Sequence, residues 1–264
     1  MRVHCLAASA AALLAASAAW GPALAQPVAE SPRAVIEAFA SDFVHDPYFD
    51  RAITFGVEIE GAWWTVAATP GAAGEPGRIL VSDGAPSTPT FYFTATREIF
   101  DRVARGEMTA LTAMVKSNAS ETSPMELELM SGFRPSQDEV NWALPLIFHF
   151  WTRGQPEIIA YGATESRIAH DAWANVLYYQ PGFRSLAFEI RPGQHANQDI
   201  ADQSRRFQTM FIVTEGRVNA RIGGRDRVLS AGEAAFIPGA VTHEYTNPYD
   251  VPARGFVIMF GAGA

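Results

Sequence analysis

The chain has 264 residues, of which 48% are hydrophobic and 18% charged, and its net charge is −8. That apolar share fills a core and excludes disorder as the main state, and the length allows one large domain or two small ones at ~100–200 residues each. An acidic chain lacks the cations that phosphate backbones demand, so nucleic acid is not expected as a partner.

Residues 1–25 read as a secretory signal peptide. Arg2 supplies the positive start, Leu6 to Trp20 is a weakly polar to apolar run rich in alanine, and Ala23-Leu24-Ala25 forms a small-x-small cleavage site before Gln26. A membrane span needs ~20 strongly apolar residues, and this run is shorter and mostly alanine. Cleavage would remove Cys5, the only cysteine, leaving no disulfide, thiolate nucleophile or Cys-ligated metal. The expected location is periplasmic.

The next stretch, 31–151, mixes helices and strands. Ser31-Pro32 is a helix start, cap then proline, leading through Val35, Phe39 and Phe43 on one face. Phe55, Val57 and Ile59 alternate with Gly56, Glu58 and Glu60 as a half-buried strand, and Gly61 turns the chain into a second through Trp64, Val66 and Ala68. The Gly/Pro-rich 70–77 is a loop, followed by short strands at Ile79–Val81 and Phe91–Phe93. Thr96 caps a helix bearing Ile99, Phe100 and Val103, with Gly106 as its stop, and a second short helix sets Leu111, Met114 and Val115 on one face. Met125, Leu127 and Leu129 alternate with Glu126 and Glu128, which read as a solvated face. Ser136 and Glu139 are spaced as a capping box opening a very apolar helix over 138–151, kinked at Pro145. That helix is apolar on too many sides for a surface helix, so it lids a cavity or docks on the second half.

Residues 152–169, with Gly154, Pro156 and Gly162, read as a linker. From 170 to 264 the chain is almost purely β: Leu186/Phe188/Ile190, Val218/Ala220/Ile222 and Phe256/Ile258/Phe260 each alternate with other positions, and glycines punctuate them at short intervals. That spacing means a sandwich or barrel. The fold class expected is therefore an α+β N-terminal domain followed by an all-β domain.

Two resemblances sharpen this. FYFTATREIFDRVARGEMTALTAM, residues 91–114, and the preceding strand pair ITFGVEIEGAWWTVAA, residues 53–68, resemble the sterol carrier protein 2 family. The resemblance implies a curved sheet with helices on one side, enclosing an apolar tunnel for a lipid. Lipid cavities need apolar walls with few polar anchors. Trp63, Trp64, Phe91, Phe93, Leu111, Met114, Phe148 and Trp151 are the candidate wall residues, methionine being adaptable to variable shapes. The plainer alternative is that they fill a core.

GEAAFIPGAVTHEYTN, residues 232–247, resembles the second motif of the cupin superfamily: Gly, five residues, Pro238, then His243 and Asn247, with the glycine expected two after the proline shifted to Gly239. FIVTEG, residues 211–216, resembles the strand and turn that close the first motif. The resemblance implies a barrel over 170–264 and a divalent metal (Fe, Mn, Ni or Zn) held by two histidines and a glutamate of the first motif and the histidine of the second. Here Thr209 stands where the glutamate should be, and the histidine pair falls near Asp202 and Ser204. His195 and His243 are the surviving metal-ligand candidates, with Asp199 or Asp202 as carboxylates. A metal-free barrel is the preferred reading, in which His243 is an interior hydrogen-bonded residue and His195 faces solvent.

Asn118-Ala119-Ser120 is an incidental sequon, no G-x-S-x-G elbow is present, and His149 and His170 read as core or surface histidines. The preferred function is an exported soluble binding protein for a lipid or other apolar small molecule, with a non-catalytic cupin domain, transient membrane contact and a homodimer through the apolar strand Phe256–Phe260. The alternative is a metal-dependent cupin enzyme, a dioxygenase or isomerase, acting on a hydrophobic substrate.

Overall fold

A computed structural model gives the fold, and its described residues are 30–264 without 73–74, 76, 118–120, 153–156, 163 and 201–202. The expected signal peptide with Cys5, the sequon, Gly154, Pro156 and Asp202 lie outside them. Among the described residues no helix is long and apolar enough to cross a membrane.

Helix α1 (Pro32–Phe43) begins as its sequence requires. The Ser31 hydroxyl accepts the Ala34 N–H at 3.2 Å, and Val35, Ile36, Phe39, Ala40 and Phe43 form its buried face. Strands β1 (Ile53–Ile59) and β2 (Ala62–Thr69) make a hairpin whose two turn residues, Glu60 and Gly61, both have positive φ, the hand that matches strand twist. β3 (Arg78–Asp83) extends the sheet beyond β2. β4 (Phe91–Ala95) lies parallel to β1, and α2 (Arg97–Ala104) and α3 (Ala110–Met114) intervene before β5 (Met125–Leu129) pairs with β4. The result is a mixed sheet of order β3-β2-β1-β4-β5.

Helix α4 (Gln137–Thr152) opens on the expected capping box: Ser136 N–H donates to the Glu139 carboxylate at 2.6 Å, and Glu139 N–H to the Ser136 hydroxyl at 3.3 Å. It runs through Pro145 and buries Leu146, Ile147, Phe150 and Trp151. Its rings interlock with those of α1 and the sheet: Phe39–Trp151 at 5.1 Å, Phe55–Phe150 at 5.2 Å and Phe93–Trp151 at 5.4 Å, all edge-to-face. The void left among them is about 10 Å³, the scale of a single water probe.

The second half is antiparallel throughout. Its strands are β6 (Arg167–Ala169), β7 (Ala172–Gln180), β8 (Phe183–Ile190), β9 (His195–Ala196), β10 (Gln208–Glu215), β11 (Arg217–Ile222), β12 (Arg225–Ser230), β13 (Ala234–Ile237), β14 (His243–Thr246) and β15 (Ala253–Phe260). They form a six-stranded sheet, β13-β10-β15-β8-β7-β6, facing a four-stranded one, β12-β11-β14-β9. Phe188 and Phe211 stack at 4.4 Å, and Phe211 and Tyr245 at 4.0 Å, joining the inner faces of the two sheets. On β15 the inward residues are Ala253, Gly255, Val257 and Met259. Gly255 is required there, because a methyl would stand 1.8 Å from the Ile212 carbonyl oxygen. Phe256, Ile258 and Phe260 therefore take the outer face, where Phe260 stacks on Phe236 at 6.3 Å and Phe256 meets Tyr161 at 5.9 Å.

Ser31–Ala264 is one compact unit. The seam between the halves is polar. The Arg167 guanidinium donates to the carbonyls of Thr112 and Val115 and to the Glu121 carboxylate, and Arg102 pairs with Glu165 at 3.0 Å. The stretch expected to be a linker thus carries Glu165, Arg167 and all of β6.

A candidate binding site inside the barrel

Strand register sorts the inner face of the sandwich into layers. On the large sheet Thr209 sits beside Met259 and Arg184, then Phe211 beside Val257 and Leu186, then Val213 beside Gly255 and Phe188, and last Ala253 beside Ile190. On the small sheet His243 sits beside Ile222, and the next layer is Tyr245 with Ala220 and Ala196. Polar side chains therefore gather at one end and apolar ones at the other. Between the sheets lies a cavity of about 540 Å³, within the range of small-molecule sites.

The polar end is crossed by the segment 203–207 leading into β10. His243 N–H donates to the Gln203 carbonyl at 3.1 Å, and Ala240 N–H to the Arg205 carbonyl at 2.5 Å. Gly239 makes this approach possible, since a methyl there would stand 2.2 Å from the Arg206 carbonyl oxygen. Ala240, two after Pro238, is where the resemblance expects glycine, and it has φ +64. The left-handed turn thus stays in its expected place with alanine in it, while the glycine serves the close contact one position earlier. Ser204, Arg205 and Arg206 line the cavity, and exposed Ser204 and Arg206 bring it to the surface.

Three further groups converge here. Asn197, at φ +62, donates its backbone N–H to the His170 carbonyl and its side-chain amide to the His243 carbonyl, each at 2.7 Å. His170 and Asp171, at φ +50 and +62, form the two-residue turn between β6 and β7, a left-handed pair without glycine. Such strained residues persist only where surrounding structure holds them. His243 Nδ1 lies 3.1 Å from the Val241 carbonyl, which can only accept, so Nδ1 carries the proton and Nε2 is the basic nitrogen. Burial pushes the His243 pKa down, with a further push from His170. His170 is itself lowered by burial and by Arg205, against an opposing pull from Asp171, Glu121 and Asp199. Burial also lowers Arg184, whose guanidinium donates to the Ser117 carbonyl at 2.6 Å and lies over the Tyr179 ring. Tyr245 is pushed up by burial, and its hydroxyl has no hydrogen-bond partner among the described residues.

His195 and His243 do not meet. Side chains alternate along a strand, and in the β9–β14 pair it is Ala196 that shares the inner face with Tyr245. His195 faces out beside Thr246, with Nε2 2.9 Å from the Glu244 carboxylate, and is 37% exposed. Asn197, whose left-handed backbone breaks the alternation, enters the cavity instead. Cupin domains can bind metals, and the donor set tests that here. Among the described residues no three or more His, Cys, Asp or Glu cluster, the cavity offers His170 and His243 with no carboxylate, and buried Thr209 occupies the glutamate's place. Among the described residues these donors do not make up the cupin set of three histidines and a glutamate.

Most of the apolar candidates of the N-terminal half pack in the core or against a neighbouring ring. Phe93, Met114 and Trp151 are buried in the core, Leu111 is half-buried in α3, and Phe148 meets Tyr179 of β7 edge-on at 6.4 Å. Trp63 lies on the opposite sheet face against Tyr92. Aromatic volume fills the space a tunnel would need. A groove of about 780 Å³ does lie at the end of the sheet beside α4, bounded by Thr54, Ala67, Leu129, Phe133 and Trp142, and Phe91, one of the candidates, lines it. His149 is held by Asp46 at 3.0 Å and stacks on Tyr48. Sequence reasoning missed His170, Arg184, Arg205 and Arg206. The adjacent Arg205-Arg206 just before a barrel strand was the one signal available.

Residues 187–259 match the sequence family described as Cupin domain, so the second half carries a cupin domain of β-sandwich type. No curated protein matches the chain. Similar solved structures include a Cupin 2 conserved barrel domain protein from Salinispora arenicola, 19% identical, covering 41% of this chain and 92% of its own, with a TM-score of 0.36. The plu4264 protein from Photorhabdus luminescens is 20% identical, with coverage of 40% and 89% and a TM-score of 0.35. An RmlC-like cupin from Shewanella frigidimarina is 19% identical, with coverage of 40% and 91% and a TM-score of 0.32.

Proposed function

We propose that this protein is an exported, non-catalytic binding protein for an apolar small molecule, and that the cupin cavity is where the molecule sits. The observation that carries this is the cavity of about 540 Å³ walled by Leu186, Phe188, Phe211, Tyr245 and Val257, with a few polar groups at one end. The close packing among the rings of α1, α4 and the sheet favours the barrel over the space between them. The mixed sheet with helices packed on it agrees with a sterol-carrier-like layout for residues 31–151, which serves here as a cap: its Ser117 lines the barrel cavity. Export to the periplasm rests on the leader sequence. A homodimer forms through the outer face that carries Phe236, Ile258 and Phe260.

Native mass spectrometry of the full chain, purified without detergent, tests the reading. A bound small molecule released by organic solvent is the expected result, with a melting temperature that falls on extraction and recovers on re-addition. Repeated recovery of empty protein that gains no stability from any apolar compound would overturn it. A transition metal at one equivalent would favour the enzyme instead.

A further inference from the structure

Tyr245 is the misfit in the barrel. Its side chain belongs to the inner face of the small sheet and to the wall of the cavity, one layer in from the polar end, and is 5% exposed. Its neighbours in register are apolar: Ala196 and Ala220 flank it on its own sheet, and Phe211, Val257 and Leu186 form the layer of the large sheet that it meets. The ring suits that company. It stacks on Phe211 at 4.0 Å, and Phe211 stacks on Phe188 at 4.4 Å. A phenylalanine would serve this stack equally well.

The hydroxyl does not suit it. Its oxygen is shielded from solvent and has no hydrogen-bond partner among the described residues. A buried hydroxyl gives up water on folding and recovers nothing unless another group bonds it, so native proteins rarely keep one orphaned. Packing alone therefore leaves this oxygen unexplained, and it belongs to a wall residue of a cavity of about 540 Å³. Burial pushes the Tyr245 pKa up, so the oxygen keeps its hydrogen and has one to give. The complement is an acceptor. Every neighbour just named is apolar, and an ionised acceptor would be costly among them.

We propose that the cavity binds an apolar molecule carrying an uncharged hydrogen-bond acceptor, a carbonyl oxygen being the simplest, which takes the Tyr245 hydroxyl hydrogen between the two sheets. The ring tilts to offer it, which neighbours as small as Ala196 and Ala220 permit. This rests on the barrel being the binding site, and it adds the occupant's functional group and the layer at which that group sits.

Isothermal titration of the full chain with matched probes tests it: heptan-2-one and acetophenone, each against the isostere in which a methylene replaces the carbonyl oxygen, 2-methylhept-1-ene and α-methylstyrene. Heptanoate supplies the charged case. The unchanged chain is compared with Tyr245→Phe, whose ring still stacks. At least one ketone is expected to bind, and the substitution to weaken it about fivefold or more while its alkene stays within about twofold. Heptanoate should bind more weakly than heptan-2-one. Without added ligand, Tyr245→Phe should melt at or above the temperature of the unchanged chain, which also shows that the variant folds. A lower melting temperature would mean that the hydroxyl already has a partner, and overturns the assignment. So does a loss shared equally by ketone and alkene, or no loss for either. Heptanoate binding as tightly as heptan-2-one overturns the uncharged acceptor. Each of these results leaves the barrel as the binding site, whereas failure of every probe to bind overturns both.

Discussion

Ala240 holds a left-handed backbone that costs an L-residue about 1–2 kcal/mol, whereas glycine adopts it freely at an entropic cost of about 0.5–1 kcal/mol. Ala240→Gly is therefore expected to raise stability by about 0.5–1 kcal/mol, read as a shifted denaturation midpoint with an unchanged slope, and a loss would mean that the alanine methyl makes a contact worth more than the strain. The two cavity histidines set a pH dependence. Both have folded pKa values below the ordinary 6.5, so below that pH the unfolded chain takes up protons that the folded chain refuses. Stability should fall as pH drops from about 6.5 and be insensitive to these groups above about 7.5. Denaturation at pH 5.5 and 7.5 checks this, and a His170→Gln/His243→Gln variant should show a shallower fall. The cupin motif itself was legible at this scale: Asn247, 1% exposed, donates to the carbonyls of Ile190 and Val251 and accepts from the Tyr249 N–H, which explains an asparagine at that place. His170 was not legible. Its place depends on a strained turn meeting Asn197 from a distant strand, and no local pattern encodes that.

Among the elements, helix starts were readable because a cap is a local bargain between one side chain and its own backbone, as at Ser31 and Ser136. Which way β9 faces depends instead on register against β14, and that is why His195, attractive in one dimension, points away from the cavity. Hydrophobicity likewise places Phe93 and Trp151 inside without saying whether they wall a space or fill it. The seam around β6 was hidden for a third reason, since polar residues in a Gly/Pro-bearing stretch look like a connector until their partners are seen. Arg167 is 16% exposed and Glu121 2%, so this is a buried ion pair. Arg167→Ala removes the cation paired with Glu121, whose carboxylate keeps the Ser117 N–H and hydroxyl as donors, together with the donor to two carbonyls, and is expected to cost about 3–5 kcal/mol in chemical denaturation. Arg167→Met with Glu121→Leu should recover much of that loss, and failure to do so would show that the carbonyl contacts, rather than the charges, carry the seam.

At the level of the whole molecule, the outer face of the large sheet carries an apolar cluster, with Phe236 54% exposed near half-buried Ile258 and Phe260. Patches of this kind mark association sites. Light scattering of the full chain should give a dimer, and Phe236→Glu with Phe260→Glu should give a monomer that keeps its melting temperature at low concentration. A monomer for the unchanged chain at high concentration would remove the interface. The barrel cavity is bounded partly by Ser117, whose carbonyl is gripped by Arg184 from the other half. An occupant therefore touches both halves at once, and its arrival and departure ought to be felt well beyond the barrel. Amide hydrogen exchange around 112–117 would then slow on filling and quicken on emptying, making the N-terminal half a gauge of whether the vessel is full.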